Sequence, residues 1–252
     1  MADAPKKPQG RSGPLRLSSD GGGWDVTRFP DGKAERERMI AEMFVEAANR
    51  SLAGASDPSL APFGDLVQNP EDDLDFAVST ALGTRPMELA EFAPLREHGP
   101  RFGDAPLELH PAAKCDLALA LVAEKSAHQG GAGRLLLLYH TEYGFWLDDL
   151  TIELMRRGLA ASPPGFDRVF YLSPFDAATG SAAEIFPGRP HFIAGRMPDE
   201  ALRNARVTLP HPTQMVLVRE RSAEGEGAAG VYGRFPIRFR WTVTRPLRKF
   251  AH

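Results

Sequence analysis

The 252-residue chain contains one cysteine, Cys115. A single thiol excludes an intramolecular disulfide framework and any cysteine-based zinc site, which takes several thiolates. Cys115 is therefore expected to be a small core residue. Long apolar runs are also missing: the run 135–139 is far too short to cross a hydrocarbon layer of about 30 Å. The opening residues lack the apolar segment of a secretory signal, so a cytoplasmic protein is expected. The seven histidines are scattered, and His110 and His211 each precede a proline without a ligand-spaced partner. HExxH, GxSxG and GxxxxGK[ST] are all absent, which leaves a small-molecule hydrolase without a nucleophile motif. The GGAG run at 130–133 precedes a strand-like segment instead of opening a helix, so a turn is expected there. Nor is there an excess of positive charge. The net charge of −3 argues against a whole surface built for nucleic acid, although a local patch can still contact phosphates.

What is present is the composition of an ordinary globular protein, 42% hydrophobic and 25% charged, enough to bury a real core. Residues 1–25 are rich in Pro, Gly, Ser and basic side chains without apolar periodicity, and are expected to form a disordered tail. The remainder, 26–252, is expected to be a single domain, with a core at about 33–173 and a β-rich extension over 174–252. Met39, Ile40, Met43, Phe44 and Ala47 recur at helical spacing within 33–50. Leu74, Phe76 and Val78 alternate with Asp75, Ala77 and Ser79, and a second alternating run covers 87–92, which predicts a β-hairpin turning over 81–86. Helices are predicted at 111–128 and 146–159, strands at 135–139, 166–172 and 215–218, and a closing β segment at 235–243. This order predicts an α/β fold, a central mixed sheet flanked by helices, with an additional C-terminal β segment.

Carboxylates inside short alternating strands run against propensity, because a charge is costly to bury without a partner. Asp75 shares its face with Ala77 and Ser79 and can lie beside Glu88 on the neighbouring strand. Two carboxylates so close repel unless one is protonated or a hard cation sits between them. Mg²⁺, or Mn²⁺, suits one or two carboxylates with water and phosphate oxygens in its other positions. Glu91 takes the place of Glu88 if the register slips by one. Asp72 and Asp73 fit a solvated or capped turn.

An Asp near the start of one hairpin strand and a Glu in the next resemble the PD-(D/E)XK, or restriction endonuclease-like, nuclease superfamily over about 33–173. The motif of that superfamily is an acidic residue, a spacer, then Glu-X-Lys. The resemblance implies a restriction endonuclease-like core, a Mg²⁺-dependent nuclease that hydrolyses phosphodiester bonds, and Asp75 and Glu88 as catalytic metal ligands. It also implies a lysine that orients the attacking water, yet Ala90 stands at the lysine place. In some members the following helix supplies it. In the helix at 111–128, Lys125 falls within roughly 45° of the centre of the apolar face at 100° per residue; snorkelling past the helix end is the bland alternative. Lys114 lies toward the same face, but in the first turn, with solvent close. Glu37 resembles the extra acidic residue that many members contribute from the opening helix, often as a metal ligand.

The C-terminal text RFRWTVTRPLRKFAH interleaves Arg238, Arg240, Arg245, Arg248 and Lys249 with aromatics. Its alternatives are a phosphate-contacting patch and an edge strand with solvated arginines. The loss of the usual lysine keeps open a rival function: a catalytically inactive domain of the same fold that binds a protein or nucleic acid.

Overall fold

The computed structural model describes residues 15–17, 24–26, 29–52, 59–69, 74–93, 108–141, 145–175, 179–205 and 207–208. Leu15–Leu17 (β1) pairs antiparallel with Trp24–Val26 (β2). Residues 15–17, 24 and 25 fall within the expected tail 1–25, whose other residues lie outside the described ones. Each triplet alternates apolar, charged, apolar, a period-two signal too short to stand out against the composition around it. The predicted elements at 215–218 and 235–243 lie outside the described residues.

Lys33–Ser51 forms helix α1. Its buried stripe, Ile40, Ala41, Met43, Phe44, Ala47 and Ala48, follows the three- and four-residue spacing of one helix face. Leu66–Gln68 (β3), Phe76–Thr80 (β4) and Gly83–Glu91 (β5) come next as an antiparallel meander. The hairpin turn is tighter than the sequence suggests: Thr80 pairs with Gly83 across Ala81 and Leu82. Gly83 supplies the left-handed φ of 98° that a side chain resists. Strand β5 therefore runs through Thr84, Arg85 and Pro86. Proline is tolerated there because pairing with the next strand begins only at Met87.

After Glu108–Leu109 (β6), helix α2 spans Pro111–Gln129, with Pro111 in its first turn and His110 Nδ1 accepting the Ala112 amide at 3.3 Å. Gly131–Tyr139 (β7) then runs parallel to β5. Part of the GGAG run thus belongs to a strand: Gly131 already pairs with Phe166, and the register shifts before Leu135. Helix α3 covers Asp149–Ala161 and not 146–159. Asp148 sets its start, because its carboxylate accepts the amides of Leu150 at 3.1 Å and Thr151 at 3.0 Å. Phe166–Pro174 (β8) runs parallel to β7, and Gly180–Phe186 (β9), which the sequence did not signal, returns antiparallel. A 3₁₀ turn at Ala194–Arg196, helix α4 at Asp199–Arg203 and Val207–Thr208 (β10) follow, β10 pairing with β6.

The main sheet has the order β3-β4-β5-β7-β8-β9, so the fold is α/β with a six-stranded mixed sheet. Alternate residues of β7 divide its two faces. Leu135, Leu137 and Tyr139 join α1 in one core, and Leu136 and Leu138 join α2 and α3 in the other. On the α1 face, Phe44, Phe63 and Phe170 pack with ring centroids 5.2–5.8 Å apart, each pair adding about 0.5–1.5 kcal/mol beyond burial. Among the described residues no helix is long and apolar enough to cross a membrane.

Candidate functional site

Asp75 sits at the bend that leads into β4, and its carbonyl accepts the Asn69 amide at 2.9 Å. Continuing the β4–β5 register one step beyond Phe76 and Met87 sets it across from Glu88. Asp75 Oδ2 accepts the Leu89 amide at 2.7 Å. Glu88 is in the interior of β5 on the α2 face, 2% exposed. Lys125, one turn from the end of α2, reaches down so that its Nζ donates to Glu88 Oε1 at 2.6 Å and to Gln129 Oε1 at 3.3 Å. The lysine side chain is 28% exposed. It faces the sheet and does not snorkel free of it.

The other oxygen of this carboxylate, Glu88 Oε2, is buried without a hydrogen-bond partner. An orphaned buried acceptor is costly, of order 1–3 kcal/mol and more when charged. Burial accordingly raises the Glu88 carboxyl above the ordinary 4.5; the Lys125 hydrogen bond opposes the rise and the charge of Asp75 adds to it. Glu37 on α1 is buried too and is raised chiefly by that burial, next by Asp75, against the pull of Lys33. Lys33 Nζ is 3.4 Å from Glu37 Oε1 with its side chain largely exposed. Its own affinity for its proton is raised first by Glu37, against desolvation, and further by Asp75 and Glu88. Asp75, Glu88 and Glu37 thus share one region of field with the cations Lys33, Lys125 and Arg36.

Glu91 lies on the opposite face of β5 from Glu88, and the Thr141 hydroxyl donates to its Oε1. Lys114 is not near solvent. It is 3% exposed, donates to the Trp146 carbonyl at 2.8 Å and pairs with Asp148. Beside it, His140 Nδ1 and the Tyr171 hydroxyl are 2.7 Å apart, and that hydroxyl accepts the Leu147 amide at 2.8 Å. Burial first, then Lys114, pushes His140 down to about 3, so the imidazole is neutral at pH 7. These groups tie α2, the end of β7, β8 and the start of α3 together. Cys115 is 1% exposed, and burial, with Asp116 adding, pushes its thiol up to about 12; it is inert core. Arg238, Arg240, Arg245 and Arg248 lie outside the described residues, as do Asp72 and Asp73.

Among the described residues no three or more His, Cys, Asp or Glu side chains gather in a metal-holding group. Glu37, expected as a further metal ligand, interacts with Asp75 through charge. The donor set does not suit a zinc or calcium cage, which takes its ligands mostly from protein. It suits a hard cation that keeps water in most of its positions: two carboxylates side by side, one with an unmatched buried oxygen. Sequence reasoning missed Lys33, which carries no periodic signal, and the orphaned Glu88 oxygen, which only the fold creates. Comparison with protein-family models, with curated proteins and with solved structures gives no match to this chain.

Proposed function

We propose that this protein is a Mg²⁺- or Mn²⁺-dependent nuclease-like domain with a restriction endonuclease-like core, hydrolysing phosphodiester bonds in nucleic acid. The observation that carries the reading is the convergence of Asp75, Glu88 and Lys125. They come from a bend, a strand interior and a helix, yet Asp75 lies across from Glu88 and Lys125 Nζ meets Glu88 at 2.6 Å. The element order supports the core assignment: an opening helix with Glu37, a hairpin with Asp75 and Glu88, a crossover helix with Lys125 and a parallel strand.

Asp75 and Glu88 would hold the divalent ion, and the chemistry it would supply there is activation of a water and neutralisation of phosphoryl charge. The chain's own groups do the rest. The Leu89 amide fixes Asp75 by its Oδ2, so its carboxylate is pre-positioned. Glu88 Oε2 is left without a protein donor, ready for a ligand role. Lys125, held beside this carboxylate at 2.6 Å, would position the attacking water and face the phosphate.

A second reading has its own observation. Lys125 already supplies a cation to Glu88, and this pair alone can fasten α2 to the sheet in an inactive binding module of the same fold. Cleavage decides between them. Labelled single- and double-stranded DNA and RNA are incubated with the full chain in Mg²⁺, Mn²⁺ or EDTA. Metal-dependent cleavage that Asp75→Asn and Lys125→Met both abolish, with their circular dichroism unchanged, supports the nuclease. Absence of cleavage, or cleavage unaffected by Lys125→Met, overturns it.

A further inference from the structure

Between β9 and α4 the chain reads PGRPHFIAGRMP over 187–198, with two arginines, one histidine and no carboxylate. This loop is held firmly from beneath. Glu153, 2% exposed, accepts the His191 amide at 2.9 Å. Arg157 Nη2 donates to the carbonyls of Ala194 at 3.2 Å, Gly195 at 3.2 Å and Met197 at 2.9 Å. His191 Nδ1 accepts the Ala194 amide at 3.1 Å. What this scaffold presents is apolar: Phe192 is 72% exposed and Ile193 51%, with the Phe192 ring 5.4 Å from that of His191.

Leaving these side chains partly in water forgoes the burial that a partner could supply, while the anchored backbone lowers the ordering cost of any partner that covers them. Charge identifies that partner. Arg189 and Arg196 are exposed and form no ion pair among the described residues. Of the nearby carboxylates, Asp199 pairs with Arg157, Asp149 lies 3.9 Å from His191 Nε2, and exposed Glu200 is in no ion pair among the described residues. We propose that this loop is a contact for single-stranded nucleic acid, in which an unpaired base stacks on Phe192 and flanking phosphates take Arg189 and Arg196. An exposed ring on the same loop as two exposed arginines is the combination of stacking surface and positive charge that single-strand binding uses. An anionic membrane matches the charge, but two apolar residues give it little to anchor. The ligand class rests on the nuclease reading; the placement of the contact does not depend on catalysis.

Binding is measured separately from cleavage, in EDTA, by fluorescence anisotropy of a labelled oligo-dT with the full chain. Phe192→Ala is expected to weaken binding by about 5- to 150-fold, the range for one lost base stack, and Phe192→Trp to preserve it. Arg189→Ala with Arg196→Ala is expected to reduce the salt slope by about 1.4, at roughly 0.7 per phosphate on a single strand. Equal oligo-dT affinity in wild type and Phe192→Ala overturns the loop assignment, and if wild type still cleaves, the nuclease reading stands without it. If Phe192→Ala instead abolishes sedimentation with phosphatidylserine-containing vesicles and leaves oligo-dT binding unchanged, the loop is a membrane contact and the inference is wrong.

Discussion

Replacing Lys125 by methionine removes the ammonium and keeps the length of the stem, so the charge is tested apart from packing. Glu88 then remains 3% exposed as a side chain, with neither oxygen matched by a cation. Breaking one side of a buried pair costs about 3–5 kcal/mol, and partial solvent access to Lys125 reduces this. Protonation caps the penalty: from an ordinary 4.5, neutralising a carboxyl at pH 7.5 costs about 4 kcal/mol, and at pH 5.5 about 1.4 kcal/mol. Lys125→Met is therefore expected to lose about 2–4 kcal/mol at pH 7.5 and at most about 1.4 kcal/mol at pH 5.5. Urea unfolding at the two pH values measures both, the slope reporting whether the native state stays compact. Lys125→Met with Glu88→Gln should recover about 1–2 kcal/mol at the higher pH, because a neutral amide is no longer a stranded charge. A loss of the same size at both pH values, or no recovery in the double variant, refutes the account of Glu88 as a buried carboxylate held by Lys125.

Burial raises Glu37, so the native state binds its proton more tightly than the unfolded chain does. The stability of wild type relative to Glu37→Gln should thus fall as pH rises from about 4.5, which thermal melts across pH will show. Asp148→Ala removes an N-cap and strands the Lys114 ammonium, 3% exposed. A loss of at least about 3 kcal/mol is expected, or roughly 6–12 °C in Tm, with Asp148→Asn losing less; a change under about 1 kcal/mol contradicts the pairing. Should Arg245 and Arg248 contact phosphates, changing both to Ala will flatten the salt dependence of duplex DNA binding by about two units, and an unchanged slope removes them from the interface.

The elements legible in the sequence are those whose burial follows one period. Helix α1 and the β4–β5 hairpin each bury a regular stripe or alternate row, and the angular position of Lys125 on α2 was enough to aim it at the sheet. Strand β9 was not legible because its residues up to Glu184 are small or charged, and large apolar side chains come only at its end, Ile185 and Phe186. Ala182 is buried, and the buried Glu184 pairs with Arg168 on β8, 3.1 Å away, a partnership that exists after strand pairing and not before it. The start of α3 was misjudged for a local reason: Asp148 competes for the first amides as a cap, where the apolar pattern of Trp146 and Leu147 continues unbroken. Lys114 was misjudged for a tertiary one, since its carboxylate partner lies 34 residues away. At the site itself, alternation put Asp75 and Glu88 on one face. The buried Glu37 and the attraction of Lys33 to three carboxylates depend on how α1 crosses the sheet, which no spacing encodes.

The central claim is that Asp75 and Glu88 jointly hold a divalent ion. Titrating Mn²⁺ into the full chain and following free Mn²⁺ by its electron paramagnetic resonance signal tests it without any nucleic acid. The account predicts one saturable site in wild type that Asp75→Ala and Glu88→Gln each weaken at least about tenfold, the scale of 1.4 kcal/mol, and that loses affinity on acidification as Glu88 takes up its proton. Mn²⁺ binding of equal strength in wild type and in both variants, or no saturable binding in wild type, would contradict it.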